Sequence, residues 1–413
     1  MDRVRGRAAL AVRKHKPDYM IVLLTGLLLL TGLILIFALS PGLSKLHGGA
    51  VSEQYYTIRQ LIAISIGIAA FIGAMLVPFR FWLKSTSWLL GVTAVVCLLI
   101  AIPGSPFRVT ALGATRWFAI GSFSFQPAEL IKFAVLIYAA QFLANRQKEG
   151  KLNDTQETLI PFGVMTAVVA FVVVILQKDM GSMMVLLAML GSMLYMAGIN
   201  LKLFGKLLIG LTVPIMLAIV LAPHRIARFT TFLNPNKDCQ GAGWHICQSL
   251  IAVGSGGVFG VGLGKSVQAA GYLPEAANDS IFSIFAEKFG FIGSVILLVI
   301  FAVLILRILK VAEKTMHPTA RLVVTGIFAW LTAHVLINIG AMLSLLPLKG
   351  ITLPLISSGG TSIIFIMAAL GVVFHISRYT SHQSVDAPEG ESTRRVTMRP
   401  SYTSYSSSNR RRG

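Results

Sequence analysis

The chain has 413 residues, of which 55% are hydrophobic and only 13% charged, whereas soluble domains usually carry about 25% charged residues. This composition excludes an ordinary soluble enzyme. One bilayer crossing takes roughly 20 residues, so ten crossings would use about half the chain and leave no room for a large soluble domain. The net charge is +20, but long apolar runs separate the basic clusters, which argues against a nucleic-acid surface. The sequence predicts an all-α polytopic membrane protein.

Uninterrupted apolar stretches predict about ten transmembrane helices. They cover residues 19–39, 58–77, 87–102, 128–144, 159–176, 183–199, 203–222, 289–309, 322–343 and 362–376. The first stretch is longer than the apolar region of a signal peptide, so we expect an uncleaved helix. An even number of crossings places both termini on one side and a large loop, residues 223–285, on the other.

The distribution of basic residues gives the orientation. About two thirds of the 36 Lys and Arg residues fall on the side of the termini, and such a bias marks the cytoplasmic side. Residues 1–18 are therefore predicted to be a basic cytoplasmic tail. Residues 379–413 are rich in Ser and Arg and poor in apolar residues, which predicts a second, disordered tail. Two roles remain open for the basic tails. They either set the membrane topology and attract anionic lipid, or they dock a partner protein.

Three cysteines suggest neither a metal cluster nor a disulfide framework. Cys97 lies in the third span and is expected to pack as a small core residue. Cys239 and Cys247 both fall in the outer loop, where the compartment permits a disulfide, and a bridge or two free thiols both remain open. The glycine-rich segment 254–264 contains phosphate-loop-like spacings but lacks the strand–helix context that gives them meaning.

Ionisable residues at membrane depth are informative because leaving them in lipid is costly. Glu129 and Lys132 stand three apart at the start of the fourth span, where a helix places them on one face. They form either a structural ion pair or part of a polar cavity for a charged substrate. Arg116 beside Trp117, in the aromatic loop 112–127, fits either a bilayer anchor or a phosphate-binding guanidinium. Asp179 is expected to cap the following helix.

The outer loop is too long for a simple connector, and such loops are usually functional. It contains Arg225, Arg228, Glu275 and Asp279. A short helix starting at Pro274 would place both carboxylates on one face. Such a pair could accept a proton and order a cation, or it could simply be favoured by the helix dipole.

At this point the sequence resembles the FtsW/RodA (SEDS) family of bacterial cell-wall glycan polymerases over residues 19–378. The resemblance rests on several motifs in the correct order: Arg116-Trp117 with 125–132, 248–257, 262–264, 273–276 with Asp279, and 338–360. Pro-Glu-Ala at 274–276 and Leu-Lys-Gly at 348–350 are more similar to the division branch, FtsW, than to the elongation branch, RodA.

The resemblance implies a ten-helix domain that polymerises lipid II into β-1,4 glycan strands outside the cytoplasmic membrane, at the division septum. Asp279 would act as general base on the acceptor hydroxyl. A divalent cation, Mg²⁺ or Mn²⁺, would be held partly by Asp279 or Glu275, with no organic cofactor. The implied substrate-binding residues are Arg116, Trp117, Glu129, Lys132, Asp179, Arg225, Arg228 and Glu275. The implied partners are a class B penicillin-binding transpeptidase and other divisome membrane proteins, with no nucleic acid.

The sequence departs from the family pattern near the predicted site. The departures are Lys178 for proline, His245 for glutamine, Ala277-Asn278 for His-Thr, Ser280 for phenylalanine, Lys288 for glutamate and Ser358 for tyrosine. None removes Asp279, Glu129 or Lys132, so they bear on cation binding and acceptor positioning rather than on the base.

Three other functions remain open. A lipid II flippase would use the same membrane cavity but would need no carboxylate base in the outer loop. A non-catalytic scaffold would need the tails and helix faces but no polar cavity. An elongation-type polymerase would share the chemistry and differ in its cellular role.

Overall fold

A computed structural model describes residues 16–46, 52–102, 107–111, 114–120, 123–207, 209–210, 232, 238–241 and 243–379. The helices of this part of the chain are α1 (Tyr19–Leu46), α2 (Tyr55–Leu76), α3 (Phe79–Lys84), α4 (Thr86–Ala101), α5 (Pro127–Lys148), α6 (Ile160–Ala170), α7 (Met180–Ala197), α8 (Trp244–Ser255), α9 (Ile281–Lys314), α10 (Pro318–Met342) and α11 (Gly360–Ser377). π-Helical turns at Thr155–Leu159 and Phe171–Leu176 extend α6 at both ends.

The polytopic helical architecture predicted from the sequence is confirmed. In the described residues, eight helical runs are long and apolar enough to cross a membrane, and α4 is a shorter apolar helix. Together they account for every predicted span except 203–222, most of which lies outside the described residues. Helix α10 is the most enclosed of the eight, with 83% of its most apolar window buried. His334 and Asn338 of this helix are 2% and 1% exposed, so these polar side chains face protein rather than lipid.

The aromatic loop predicted at 112–127 instead contributes to a small antiparallel sheet, which corrects the loop assignment. Its strands are β1 (Arg108–Ala111), β2 (Ala114–Ile120) and β3 (Phe123–Phe125), in the order β1-β2-β3. Phe118 pairs across the sheet with Phe125 and stacks on Phe107, with ring centroids 5.3 and 5.4 Å apart. Cross-strand aromatic pairs of this kind stabilise a sheet, which explains why this segment is ordered as strands.

Helix α9 begins eight residues before the predicted span at 289 and passes through a kink at Gly290. The kink has φ 68° and ψ −166°, a conformation that is essentially restricted to glycine. The glycine-rich segment after α8 packs against this kink. The backbone N–H groups of Val261 and Gly262 donate to the carbonyls of Glu287 and Lys288, each at 3.0 Å. The backbones touch here, so the glycines of this segment have a packing role.

We predict that Gly290→Ala strongly destabilises the protein. A Cβ at this position would lie 2.3 Å from the backbone nitrogen of Gly260, and the backbone conformation is strained for alanine, so the cost should be about 3 kcal/mol or more. Thermal unfolding of purified protein in detergent measures this cost.

The matched control is Gly26→Ala in α1, where an added Cβ meets nothing within 4 Å. Alanine has the higher helix propensity, so this variant should be neutral or stabilised by up to about 1 kcal/mol. Equal melting temperatures for the two variants would show that the kink does not require glycine.

Candidate functional site

Asp279 lies in a turn, residues 271–280, directly before α9. The predicted helix that would place Glu275 and Asp279 on one face is wrong. Glu275 has a φ of 51°, and this left-handed residue reverses the chain where a helix would continue. The exposed Glu275 carboxylate accepts a hydrogen bond from Asn278 Nδ2 at 2.6 Å, whereas Asp279 is half-buried.

Three successive carbonyls of this turn accept hydrogen bonds from α10 and from the loop before α11. The donors are Ser358 N to Ala277 O at 2.8 Å, Ser357 Oγ to Asn278 O at 2.6 Å and Asn338 Nδ2 to Asp279 O at 2.7 Å. We call this set of contacts the carbonyl clamp. It fixes the backbone of the predicted base while its side chain remains partly accessible.

Asn338 is the central residue of the clamp. It is 1% exposed, and its Nδ2 atom donates to Asp279 O and to Ile351 O, both at 2.7 Å. Two carbonyl acceptors use both amide hydrogens, which fixes the orientation of the amide group. Asn338 was part of a matching motif in the sequence, but its contact with Asp279 was not predicted.

Two departures from the family pattern form a contact with each other behind the turn. Ser280 Oγ donates to Pro274 O at 2.8 Å and lies 2.6 Å from His245 Nε2. The hydroxyl has a single hydrogen, so His245 must be the donor in the second contact. Burial lowers the pKa of His245, and the carboxylate of Glu275 opposes that shift, so the neutral ring is favoured. Histidine and serine together therefore anchor the turn.

Glu129 and Lys132 form the predicted ion pair in α5, and two unpredicted residues from α10 complete a buried cluster. Lys132 Nζ lies 2.8 Å from Glu129 Oε1, 2.9 Å from His334 Nε2 and 5.2 Å from the centroid of the Trp330 ring. Lys132 is 0% exposed and Glu129 3%. Glu129 Oε2 is buried without a hydrogen-bond partner among the described residues, so the cluster has an unused acceptor.

His334 and Asn338 connect this cluster with the carbonyl clamp. They are four residues apart, which places them on one face of α10. His334 Nδ1 contacts Thr352 O at 3.3 Å, next to the Ile351 carbonyl that Asn338 binds. Lysine has no acceptor to offer, so His334 Nε2 accepts from Lys132 and its Nδ1–H donates to the loop. His334 and Asn338 are isolated polar residues within an apolar span, and this was the sequence signal that could have identified them.

Asp179 caps α7 as predicted. Its Oδ1 accepts from Ser182 N at 3.0 Å, and its Oδ2 accepts from Ser182 Oγ and Gln126 Nε2, both at 2.8 Å. These contacts join the start of α7 to the start of α5. They give a structural reason for the carboxylate, and its substrate-binding role stays a prediction.

Four predicted site residues remain, two of them in the sheet and two in the segment predicted to be the outer loop. Arg116 and Trp117 lie in β2, where Trp117 is half-buried. Arg225 and Arg228 fall outside the described residues. Cys239 and Cys247 form a disulfide with a Cα–Cα distance of 5.7 Å, which resolves the alternative left open by the sequence.

Residues 18–382 match the family model of FtsW, RodA and SpoVE, described as cell cycle protein. The chain is 35% identical to stage V sporulation protein E of Bacillus subtilis, over 90% of this chain and 100% of that protein. It is 36% identical to a probable peptidoglycan glycosyltransferase FtsW of Thioalkalivibrio, over 88% of this chain and 90% of that protein.

Two solved structures share the fold. One belongs to a study of the structural coordination of polymerization and crosslinking by a peptidoglycan synthase complex; it has a TM-score of 0.68 and 24% identity, covering 88% of this chain and 98% of that chain. The other is the rod shape determining protein RodA of Thermus thermophilus, with a TM-score of 0.62 and 24% identity, covering 88% of this chain and 97% of that chain.

We predict that Lys132→Met destabilises the protein by about 3–5 kcal/mol, because it leaves the buried Glu129 carboxylate without a counter-charge. The double variant Glu129→Gln/Lys132→Met has no buried charge at this position and should recover much of that loss. Thermal unfolding of the wild type, the two single variants and the double variant gives a double-mutant cycle, which measures the interaction energy of the pair.

The same helix provides a matched control. Arg146 and Glu149 also pair three residues apart in sequence, at 2.9 Å, but at the exposed end of α5. Arg146→Met should cost less than about 1 kcal/mol. A Lys132→Met variant as stable as Arg146→Met would show that the buried Glu129 does not depend on this counter-charge.

Proposed function

Because this chain belongs to the FtsW/RodA/SpoVE family of membrane proteins, we propose that it is a peptidoglycan glycosyltransferase that polymerises lipid II into β-1,4 glycan strands. The observation that carries the proposal is the carbonyl clamp, which holds Asp279 at the start of α9 with its carboxylate half-buried. The 36% identity to a probable peptidoglycan glycosyltransferase, over most of both chains, supports the same activity.

Asp279 acts as the general base in this proposal. Its carboxylate takes the proton from the 4-hydroxyl of the acceptor N-acetylglucosamine as that oxygen attacks the anomeric carbon of the donor N-acetylmuramic acid. The glycosidic bond to the polyprenyl diphosphate breaks, and the diphosphate leaves with the bonding electrons. An α-linked donor gives a β-linked product, so the reaction is a single displacement with inversion and needs no covalent enzyme intermediate. Aspartate has an ordinary pKa of about 3.9, so proton removal is concerted with attack.

The leaving diphosphate needs positive charge near it. Arg116, Arg225 and Arg228 are the proposed ligands on the outer side. Lys132 is fully buried and already bound to Glu129 and His334, so we assign this cluster to organising the polar cavity. The unused acceptor at Glu129 Oε2 would bind a hydroxyl or amide hydrogen of the substrate.

A divalent cation, Mg²⁺ or Mn²⁺, would be shared between protein and substrate. In the described residues no three His, Cys, Asp or Glu side chains come together as a metal site. Magnesium commonly uses only one or two carboxylates together with substrate phosphates, and Asp279 or Glu275 would fit that mode. Bound there, the cation would neutralise charge on the diphosphate.

We assign the chain to the bacterial cytoplasmic membrane with both termini inside, because the basic residues accumulate on that side. The FtsW relatives favour a role at the division septum, although the elongation-type role of RodA shares the same chemistry. A class B penicillin-binding transpeptidase, which crosslinks the strands, is the proposed partner together with other divisome proteins. The synthase complex with the same fold supports this pairing.

We predict that Asp279→Asn lowers polymerisation by about 10²–10⁴-fold, the range usually supplied by a positioned base. The assay uses the full chain in liposomes with lipid II, Mg²⁺ and the partner transpeptidase, and measures glycan strands on gels. Glu313→Gln, which removes an exposed carboxylate at the far end of α9, is the control and should retain full activity.

Two results would contradict this assignment. Wild-type rates in Asp279→Asn would exclude the aspartate as the base. Transfer of lipid II across the liposome by both forms without strand formation would favour a transporter, which could use the buried Lys132 cluster without needing Asp279.

We further predict that Asn338→Ala lowers kcat by about 10–100-fold with little change in KM. Loss of the clamp shifts the base, and a misplacement of about 1 Å can cost 10²-fold in rate. Substrate contacts made in the ground state remain, which is the reason for the split between kcat and KM.

Thr332→Ala is the control on the same helix, because it removes only the bond from Thr332 Oγ1 to Phe328 O at 2.7 Å. It should leave kcat unchanged. A lower melting temperature with an unchanged kcat in Asn338→Ala would restrict the clamp to a structural role.

A further inference from the structure

A groove remains at the end of the bundle where both termini of the membrane domain emerge. It runs between the start of α1, the end of α2 and the end of α11, and has a volume of about 660 Å³. This lies within the range of about 300–1,000 Å³ that is usual for ligand pockets. None of its lining residues belongs to the Lys132 cluster or the carbonyl clamp. We call it the terminal groove.

The walls of the terminal groove are apolar and aromatic. Phe374 is central: its ring centroid lies 5.7 Å from that of Phe71 and 5.9 Å from that of Tyr19. Met75 and Val22 extend the apolar lining, and the exposed fraction of Tyr19 is 63%. Apolar walls of this kind, at the end of three helices, suit the binding of a lipid acyl chain.

Two basic side chains, Lys16 and Arg378, also line the groove. Neither has an acidic partner among the described residues: the neighbouring Asp18 carboxylate pairs with Arg307 at 3.7 Å. The Arg378 guanidinium lies 5.5 Å from the Phe374 ring centroid, and its Nε atom is buried without a hydrogen-bond acceptor in the described part of the chain. The groove thus combines unneutralised positive charge with unused hydrogen-bond donors.

We propose that the terminal groove binds one anionic phospholipid, with its phosphate between Lys16 and Arg378 and an acyl chain along Phe71 and Phe374. Guanidinium groups suit phosphate geometry, and juxtamembrane basic residues attract anionic lipid. The chain's own tails do not match the groove, because residues 1–15 and 380–413 are both net basic. The site is independent of the glycosyltransferase chemistry.

The test measures which lipid the groove holds. The full chain is reconstituted in phosphatidylcholine nanodiscs that contain spin-labelled phosphatidylglycerol or spin-labelled phosphatidylcholine, and electron paramagnetic resonance gives the immobilised fraction of each. Wild type should immobilise phosphatidylglycerol preferentially. Lys16→Gln/Arg378→Gln should lower that preference by about fivefold for each removed charge.

Two further variants separate the groove from general surface attraction. Arg80→Gln/Lys84→Gln removes two exposed charges from α3 on the same side of the membrane and should leave the preference unchanged. Val22→Trp fills the groove without changing charge and should reduce immobilised phosphatidylglycerol. An unchanged melting temperature shows that each variant is folded.

The proposal is overturned by any of three results. Wild type could show no preference for the anionic lipid, which would indicate that the groove is empty or is covered by a tail or a second copy. The α3 variant could lose as much preference as the groove variant. Val22→Trp could retain the full immobilised fraction, which would place the lipid elsewhere.

Discussion

The arrangement of the site depends on one polar face of α10. In an apolar bundle, a buried polar group is costly unless it is hydrogen-bonded, and His334 and Asn338 satisfy groups from three other segments. His334 binds Lys132 of α5 and the loop carbonyl of Thr352, while Asn338 binds the carbonyls of Ile351 and Asp279. A shift of this helix would break both sets of contacts, so the buried Lys132 cluster and the turn of Asp279 are held in register by the same element.

Several of the departures from the family pattern lie in or beside the turn that carries Asp279. His245 bonds Ser280, and Asn278 donates to Glu275 and accepts from Ser357. These residues surround Asp279 and all stabilise the turn that carries it. Ser358 contributes only its backbone N–H to the clamp, and another side chain at that position could provide the same contact. The turn is therefore held by Asn338 and Ser357 of a matching motif together with the His245–Ser280 contact between two departures.

The two ends of the bundle differ in their packing. At the end that carries the Asp279 turn, the glycine-rich segment packs directly on the kink of α9. The close approach leaves no space for a Cβ at Gly290. At the other end, α1, α2 and α11 leave the terminal groove open, with aromatic walls and two basic side chains. Close backbone packing at one end thus coexists with an open groove at the other.

The sequence alone determined the features that depend on local composition and spacing. Apolar runs define the membrane spans because each helix needs a fixed apolar length, the i,i+3 spacing predicted the Glu129–Lys132 pair, and Asp179 caps α7 as its neighbours indicated. Only the tertiary structure decided the contacts between distant segments. The Lys132–His334 contact joins residues 202 positions apart, and the clamp joins the outer turn to α10. Pro274 suggested a helix at Glu275 and Asp279, but hydrogen bonds from α10 and the following loop stabilise a turn instead, because satisfying buried carbonyls outweighs the weak local helix preference.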